Sequence, residues 1–136
     1  MSELALTVLD EHFAICRLAA DAEVPAWVTR AAAFLSVSRT PTELSIIADE
    51  AAIPAELDAQ RGYRVLRVEG PLPLELVGVL AALAVPLAAA GVPIFPVATY
   101  DTDYLFVRDT ELARAVAALV AAGHRVIDMT GAARGP

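Results

Sequence analysis

Hydrophobic positions in the second half of the chain follow two different periods. Strand-like segments alternate and are rich in β-forming residues, whereas helix-like segments are apolar on one face or all round. The segments are a strand at 63–68, a helix at 76–90, strands at 94–99 and 104–108, a helix at 112–120 and a strand at 124–127. Gly91 and Gly123 end the two helices. The order β-α-β-β-α-β predicts a ferredoxin-like arrangement.

The first half repeats this pattern less regularly, at an offset of about sixty residues. Residues 34–37 align with 94–97, and Asp49 aligns with Asp109. The predicted elements are strands at 4–9, 12–18, 34–38 and 44–48, a short helical crossover at 26–33, a short helix at 49–57 and a linker at 58–62. We interpret the pattern as a duplication whose first copy has a degenerate first helix.

These patterns predict an α+β fold of two ferredoxin-like modules in tandem. We place the first module at residues 1–62, the second at 63–128 and a frayed tail at 129–136. Each module has an antiparallel sheet with its helices on one face. Because exposed sheet edges need pairing or protection, we expect the halves to join edge to edge and the chain to form a homodimer.

The composition argues against several classes of function. The net charge is −7 and lysine is absent, so an acidic surface would repel phosphates and argues against a nucleic-acid partner. Cys16 is the single cysteine, which excludes an intrachain disulfide and a cysteine metal cluster, and we interpret it as a buried apolar residue. With no signal-peptide pattern at the start, these features predict a cytoplasmic protein.

An uncharged stretch at 76–100 is long enough to cross a bilayer. Pro86, Pro93 and Pro96 interrupt it, and Gly91 favours a helix stop. We therefore interpret the stretch as a buried helix followed by a strand, and we expect no membrane association.

Three segments resemble a known family. The run 91–107, Gly-Val-Pro-Ile-Phe-Pro-Val-Ala-Thr-Tyr-Asp-Thr-Asp-Tyr-Leu-Phe-Val, resembles the second module of small bacterial tandem ACT proteins. The run 68–72, Val-Glu-Gly-Pro-Leu, and the first hairpin at 34–46 also match. Such proteins are similar to the regulatory region of aspartate kinases and to the CASTOR-type arginine sensors of animals. The resemblance covers nearly the whole chain apart from the tail.

The resemblance implies a non-catalytic regulatory module that binds an amino acid or similar small effector between modules, without a cofactor. Carried over to this chain, the ligand-binding residues implied for the second module are Glu69, Gly70, Leu76, Val77, Gly78, Val79, Thr99, Tyr100, Thr102 and Asp103. On the neighbouring module they are Ser36, Val37 and Ser38. Ala98 stands where relatives often carry a serine, which removes one hydroxyl contact. The degenerate first helix puts a second effector site in doubt.

The chemistry of these residues fits an amino acid. Free N–H groups at a helix start accept a carboxylate, and Asp101 or Asp103 can pair with an ammonium. Both aspartates also suit a plain turn, and Gly78 also suits close helix packing, so both alternatives stay open.

Two other function classes remain. One is a protein-interaction or scaffold module with a vestigial pocket. The other is a small enzyme using Asp101 and Asp103, which has little support because the sequence has no nucleophile elbow or Gly-rich phosphate loop. His12 and His124 have no metal-ligand companion at helical spacing. We therefore assign no catalytic and no metal-binding residue.

Overall fold

The computed structural model describes residues 3–128 and 133–134 of the 136-residue chain. In chain order the strands are β1 (Ala5–Val8), β2 (Phe13–Leu18), β3 (Leu35–Arg39), β4 (Leu44–Asp49), β5 (Gln60–Val68), β6 (Phe95–Ala98), β7 (Asp103–Arg108), β8 (Arg125–Asp128) and β9 (Ala133–Arg134). The α-helices are α1 (Val79–Ala89) and α2 (Leu112–Ala121). Short 3-10 helices lie at Ala26–Arg30, Glu50–Ala52 and Asp109–Glu111.

The chain folds as two compact units. Unit 1 consists of Met1–Asp10 and Arg64–Pro136, and unit 2 consists of Glu11–Tyr63. Strand β5 begins in unit 2 and ends in unit 1. The predicted division at 62/63 assigned residues 1–10 to the first module, whereas the structure groups them with the second half of the chain.

The sheet of unit 1 has the order β6-β7-β5-β1-β8-β9. The predicted β-α-β-β-α-β order is confirmed for β5 through β8, but β1 is inserted between the first and last of these strands. It pairs antiparallel with β5, Leu6 opposite Val68, and parallel with β8, Leu6 opposite Val126. The parallel β1–β8 pair makes the sheet mixed.

Both helices pack on one face of this sheet. Alternate residues of the strands, including Leu6, Leu66 and Leu105, form one buried cluster with Leu83 of α1 and Leu119 of α2. Buried side chains that alternate along the strands pack against buried side chains of the two helices, as the hydrophobic pattern predicts. Burial of this apolar face is the main source of the unit's stability.

His124 fastens the inserted strand. Its Nδ1 accepts the Leu4 backbone N–H at 3.1 Å, and its Nε2 donates to the Ala82 carbonyl at 3.3 Å. That carbonyl is available because Pro86, four residues later in α1, has no N–H to donate to it. The buried imidazole therefore links the residue just before β1 to α1 through both ring nitrogens.

Unit 2 has the strand order β3-β4-β2, followed by the start of β5. Strand β2 pairs antiparallel with β4, Cys16 opposite Ile46, and β3 pairs antiparallel with β4. Only the 3-10 helix Ala26–Arg30 forms the crossover, in line with the predicted degenerate helix.

Two predicted elements of the first half differ from the structure. The short helix predicted at 49–57 is reduced to the 3-10 helix Glu50–Ala52, because the buried Asp49 carboxylate accepts the N–H groups of Ala33 and Phe34 and Pro54 interrupts the helical hydrogen bonds. The linker predicted at 58–62 is partly strand, since β5 starts at Gln60.

The predicted tail at 129–136 falls mostly outside the described residues. Its two described residues form β9, antiparallel to β8, with Val126 opposite Arg134. Within the parts of the chain that the structure describes, no helix combines the length and the apolar character that crossing a bilayer requires.

Cys16 lies in the core of unit 2, with 2% of its surface exposed. Burial raises the pKa of its thiol above the ordinary value of 9.0, while the nearby Arg61 charge lowers it by a smaller amount. As the pH rises, the thiol ionises first in the unfolded protein. Its contribution to stability is therefore present below about pH 9 and is lost as the pH rises further.

We expect the free energy of unfolding of the wild type to exceed that of Cys16→Ala by less at pH 10 than at pH 7. Urea unfolding of both proteins across this range measures the difference. An advantage that stays constant would contradict this.

Candidate functional site

The β6–β7 hairpin of unit 1 turns through four residues that are held by a threonine at each end. The Thr99 N–H donates to the Thr102 carbonyl at 2.9 Å, and the Thr99 hydroxyl accepts the Thr102 N–H at 3.3 Å. Side chains of this type replace backbone partners in tight turns. These hydrogen bonds define the shape of the turn, which presents Tyr100 and Asp101 at its tip.

The turn is fastened to the loop that follows β5. The Thr102 hydroxyl, which is buried, donates to the Val68 carbonyl at 2.7 Å, and the Leu72 N–H donates to the Asp101 carbonyl at 2.7 Å. Gly70 lies against this junction, where a Cβ would meet Leu72 N at 3.0 Å and Asp101 O at 3.1 Å. Close backbone approach explains the glycine.

Between this turn and the start of α1 lies a pocket of about 250 Å³. The loop, the helix start and the hairpin line it with Leu72, Pro73, Leu74, Leu76, Gly78, Val79, Leu80, Ala98, Thr99, Tyr100, Asp101, Thr102 and Asp103. Its walls are mainly apolar on the loop and helix side. On the hairpin side they are polar and acidic.

The N-terminus of α1 borders the pocket and has no side-chain cap. Gly78 is its N-cap, and no capping hydrogen bond from a side chain is formed there. The first N–H groups of a helix have no partner within the helix, and the helix dipole makes this end partially positive. Gly78 has a φ of 91°, a left-handed backbone conformation that favours glycine.

The charged residues in the pocket lining are two carboxylates, Asp101 and Asp103, and the lining contains no arginine. Asp103 is half-buried at the first position of β7, and Asp101 is exposed in the turn. The pocket thus has an acidic side at the hairpin and a partially positive side at α1. This polarity matches a ligand that carries an ammonium and a carboxylate group.

The structure brings together seven of the ten residues expected to bind a ligand in the second module: Leu76, Gly78, Val79, Thr99, Tyr100, Thr102 and Asp103. Glu69 and Gly70 line a neighbouring hollow of about 320 Å³ instead, where Glu69 is held by the Thr7 hydroxyl at 2.9 Å and by Arg67 at 3.5 Å. Val77 is 85% exposed and is not part of the pocket lining. It precedes the first turn of α1, so its side chain does not follow the helical pattern.

The residues expected from the neighbouring module lie on β3 of unit 2. Ser36 is half-buried there, and Val37 and Ser38 are exposed. Their participation in a ligand site stays a prediction.

Sequence reasoning missed four residues of the pocket wall, Leu72, Pro73, Leu74 and Leu80. The first three belong to the loop between Gly70 and Gly78. The available signal was a run of mostly apolar residues between the two glycines, in a loop where polar residues are more usual. Among the described residues, no three His, Cys, Asp or Glu side chains are grouped so that they could hold a metal ion.

Comparisons with known proteins agree with this architecture. The family model of the ACT domain matches residues 58–121, and a second model, of an N-terminal domain, matches residues 11–56. No curated protein matches the chain. The two matches correspond closely to unit 2 and to the larger segment of unit 1.

Among solved structures, a crystal structure of an Agobacterium tumefaciens protein is similar over nearly the full length. It is 31% identical, with a TM-score of 0.87, and the match covers 94% of this chain and 95% of that one. The regulatory subunit of aspartate kinase from Thermus thermophilus, in its ligand-free form, shares 16% identity with a TM-score of 0.56 over 82% of this chain and 93% of that one.

Aspartate kinase from Clostridium acetobutylicum, described as an allosteric enzyme, shares 10% identity with a TM-score of 0.62. The match covers 83% of this chain but only 33% of the kinase. These two distant likenesses show the shared fold. The ACT-domain match over residues 58–121 and the near full-length relative at 31% identity lead to one conclusion: the chain belongs to the ACT-domain family.

Proposed function

We propose that the protein is a non-catalytic regulatory module and that it binds a free amino acid in the pocket of unit 1. The observation that carries the proposal is the polarity of this pocket, with an uncapped helix start on one side and Asp103 on the other. Membership of the ACT-domain family supports the same function.

In this proposal each group of the ligand has a counterpart in the pocket. The α-carboxylate binds the free N–H groups at the start of α1, as anions commonly do at helix N-termini. The α-ammonium pairs with Asp103 in a charge-assisted hydrogen bond, which is stronger than a neutral one. The side chain packs against Leu72, Leu76 and Ala98.

Size and charge narrow the ligand class. The volume of about 250 Å³ is below the range of about 300–1,000 Å³ that drug-sized ligands occupy, so a single amino acid suits it better than a nucleotide or a peptide. Because two carboxylates and no arginine line the pocket, aspartate and glutamate would place a second negative charge against Asp101 or Asp103. Neutral amino acids with small or apolar side chains are favoured.

We extend the proposal to a cytoplasmic homodimer, in which β3 of a neighbouring module adds Ser36, Val37 and Ser38 to the ligand site. The exposed apolar side chains of β3, Leu35 at 43% and Val37 at 39%, favour pairing of this edge.

A second candidate function is a protein-interaction module. Leu74, Val77 and Val85 are large apolar side chains that expose 66%, 85% and 67% of their surface. Exposed apolar patches often mark contacts with other proteins.

The proposal is tested by thermal unfolding with each of the twenty amino acids at millimolar concentration. A ligand that binds only the folded protein stabilises it by mass action, by about 2.7 kcal/mol at a ligand concentration a hundredfold above Kd. The melting temperature rises accordingly. We expect a neutral amino acid to raise the melting temperature, and aspartate and glutamate to have no effect. A panel without any shift would favour the protein-interaction candidate.

A further inference from the structure

The β3–β4 hairpin of unit 2 and the β6–β7 hairpin of unit 1 have the same hydrogen-bonded turn. In unit 2 the Thr40 N–H donates to the Glu43 carbonyl at 2.9 Å, and the Thr40 hydroxyl accepts the Glu43 N–H at 3.2 Å. Thr99 and Thr102 make the corresponding bonds in unit 1, at 2.9 and 3.3 Å. Thr40 is therefore the structural counterpart of Thr99, and the residues just before them correspond as well.

Those preceding residues are Arg39 and Ala98, each the last residue of its strand. Arg39 ends β3 and lies opposite Leu44, and Ala98 ends β6 and lies opposite Asp103. In unit 1, Ala98 lines the pocket between the hairpin and the segment that follows β5. In unit 2, the corresponding position is occupied by Arg39, which has a long cationic side chain.

The Arg39 guanidinium reaches the segment that follows β2, which is the counterpart of the pocket loop. Its Nη1 donates to the Ala20 carbonyl and its Nη2 donates to the Ala22 carbonyl at 2.7 Å. The segment is shaped to present both carbonyls, because the Ala22 N–H closes a turn onto the Ala19 carbonyl at 3.0 Å. A planar guanidinium fork suits two carbonyls held in this way.

We propose that Arg39 permanently occupies the unit 2 counterpart of the pocket, and that Ala98 is the residue that keeps the unit 1 pocket open. The chain then has one ligand site instead of two. The proposal that Arg39 occupies the counterpart of the pocket in unit 2 does not depend on the amino-acid ligand. The role of Ala98 does rest on that proposed function.

Occupancy by Arg39 is tested with n-propylguanidinium, which reproduces the end of the arginine side chain. Arg39→Ala vacates the position, so n-propylguanidinium at tens of millimolar should raise the melting temperature of this variant by about 2 °C more than that of the wild type. The control is Arg17→Ala, which removes another exposed arginine of unit 2 that donates to a backbone carbonyl, that of Thr42 at 3.4 Å. It should respond as the wild type does.

n-Propylammonium, which lacks the fork, should have a smaller effect on Arg39→Ala. Equal responses of Arg39→Ala, Arg17→Ala and wild type would overturn the occupancy proposal. If Arg39→Ala does not fold, the same measurement is made with Arg39→Gln, which shortens the side chain and keeps it polar.

The role of Ala98 is tested with the amino acid that stabilises the wild type. Ala98→Arg should remove its effect on the melting temperature, whereas the control Ala117→Arg, at an exposed position of α2 outside the pocket lining, should keep it. Calorimetric titration of the wild type should give one ligand per chain. Undiminished binding by Ala98→Arg, or two ligands per chain, would overturn this part. If no amino acid binds the wild type, the proposed function and the role of Ala98 both fail, while the guanidinium experiment still decides the occupancy of unit 2.

Discussion

Replacing Asp103 with asparagine should strongly reduce the rise in melting temperature that the bound amino acid produces, and should leave the unliganded protein folded. The substitution keeps the size of the side chain and removes the charge that pairs with the ligand ammonium. Hydrogen bonds to a charged group contribute about 1.5–3 kcal/mol, so affinity should fall by about tenfold to a hundredfold. Isothermal titration calorimetry of the variant measures this directly.

Asp58→Asn is the matched control, because Asp58 is an exposed aspartate outside the pocket lining. It should bind as the wild type does. If Asp103→Asn binds with unchanged affinity, Asp103 is not the ammonium partner. If it unfolds without ligand, the aspartate serves the turn itself, which is the alternative that the sequence left open.

Gly70→Ala should weaken both folding and ligand binding. The added Cβ would lie 3.0 Å from Leu72 N, 3.1 Å from Asp101 O and 3.2 Å from Thr102 Cβ, closer than ordinary contacts. Two of these atoms belong to the backbone, so the turn must move away from the loop, and overpacking of this kind costs about 1–3 kcal/mol. Urea unfolding measures the stability, and the amino-acid thermal shift measures the binding.

Gly123→Ala separates the two effects. Gly123 has a φ of 98° with open space around it, so alanine there costs about 1–2 kcal/mol of backbone strain. It follows α2 and is not part of the pocket lining, so this variant should be destabilised and still bind. Retained binding by Gly70→Ala would show that the junction of turn and loop does not shape the site.

The sequence could predict most elements of unit 1 because their signals are local. The alternation at 63–68 and the apolar face of α2 depend on neighbouring residues alone. The placement of β1 could not be predicted in this way. Leu6 and Val8 alternate equally well for either module, and their partners, β5 and β8, lie far away in the sequence, so no local signal identifies them.

The candidate site shows the same limit. The turn at Thr99–Thr102 and the start of α1 carry local signals, and the family resemblance pointed to both. The loop wall carries no such signal, because its position depends on contacts between distant residues, the bonds of Thr102 to Val68 and of Leu72 to Asp101. The side chain of Val77 was assigned to the pocket as if the helix had already begun, and it lies outside the lining.

The central claim, that the pocket of unit 1 binds a free amino acid, is tested most directly by a two-dimensional ¹⁵N NMR titration with the amino acid that gives the largest thermal shift. We predict saturable shifts of the backbone amides of 78–81 at the start of α1 and of 98–103 in the hairpin. Amides of Glu11–Tyr63 outside β3 should change little. Saturable shifts confined to other residues, or no saturable shifts with any amino acid, would contradict the claim.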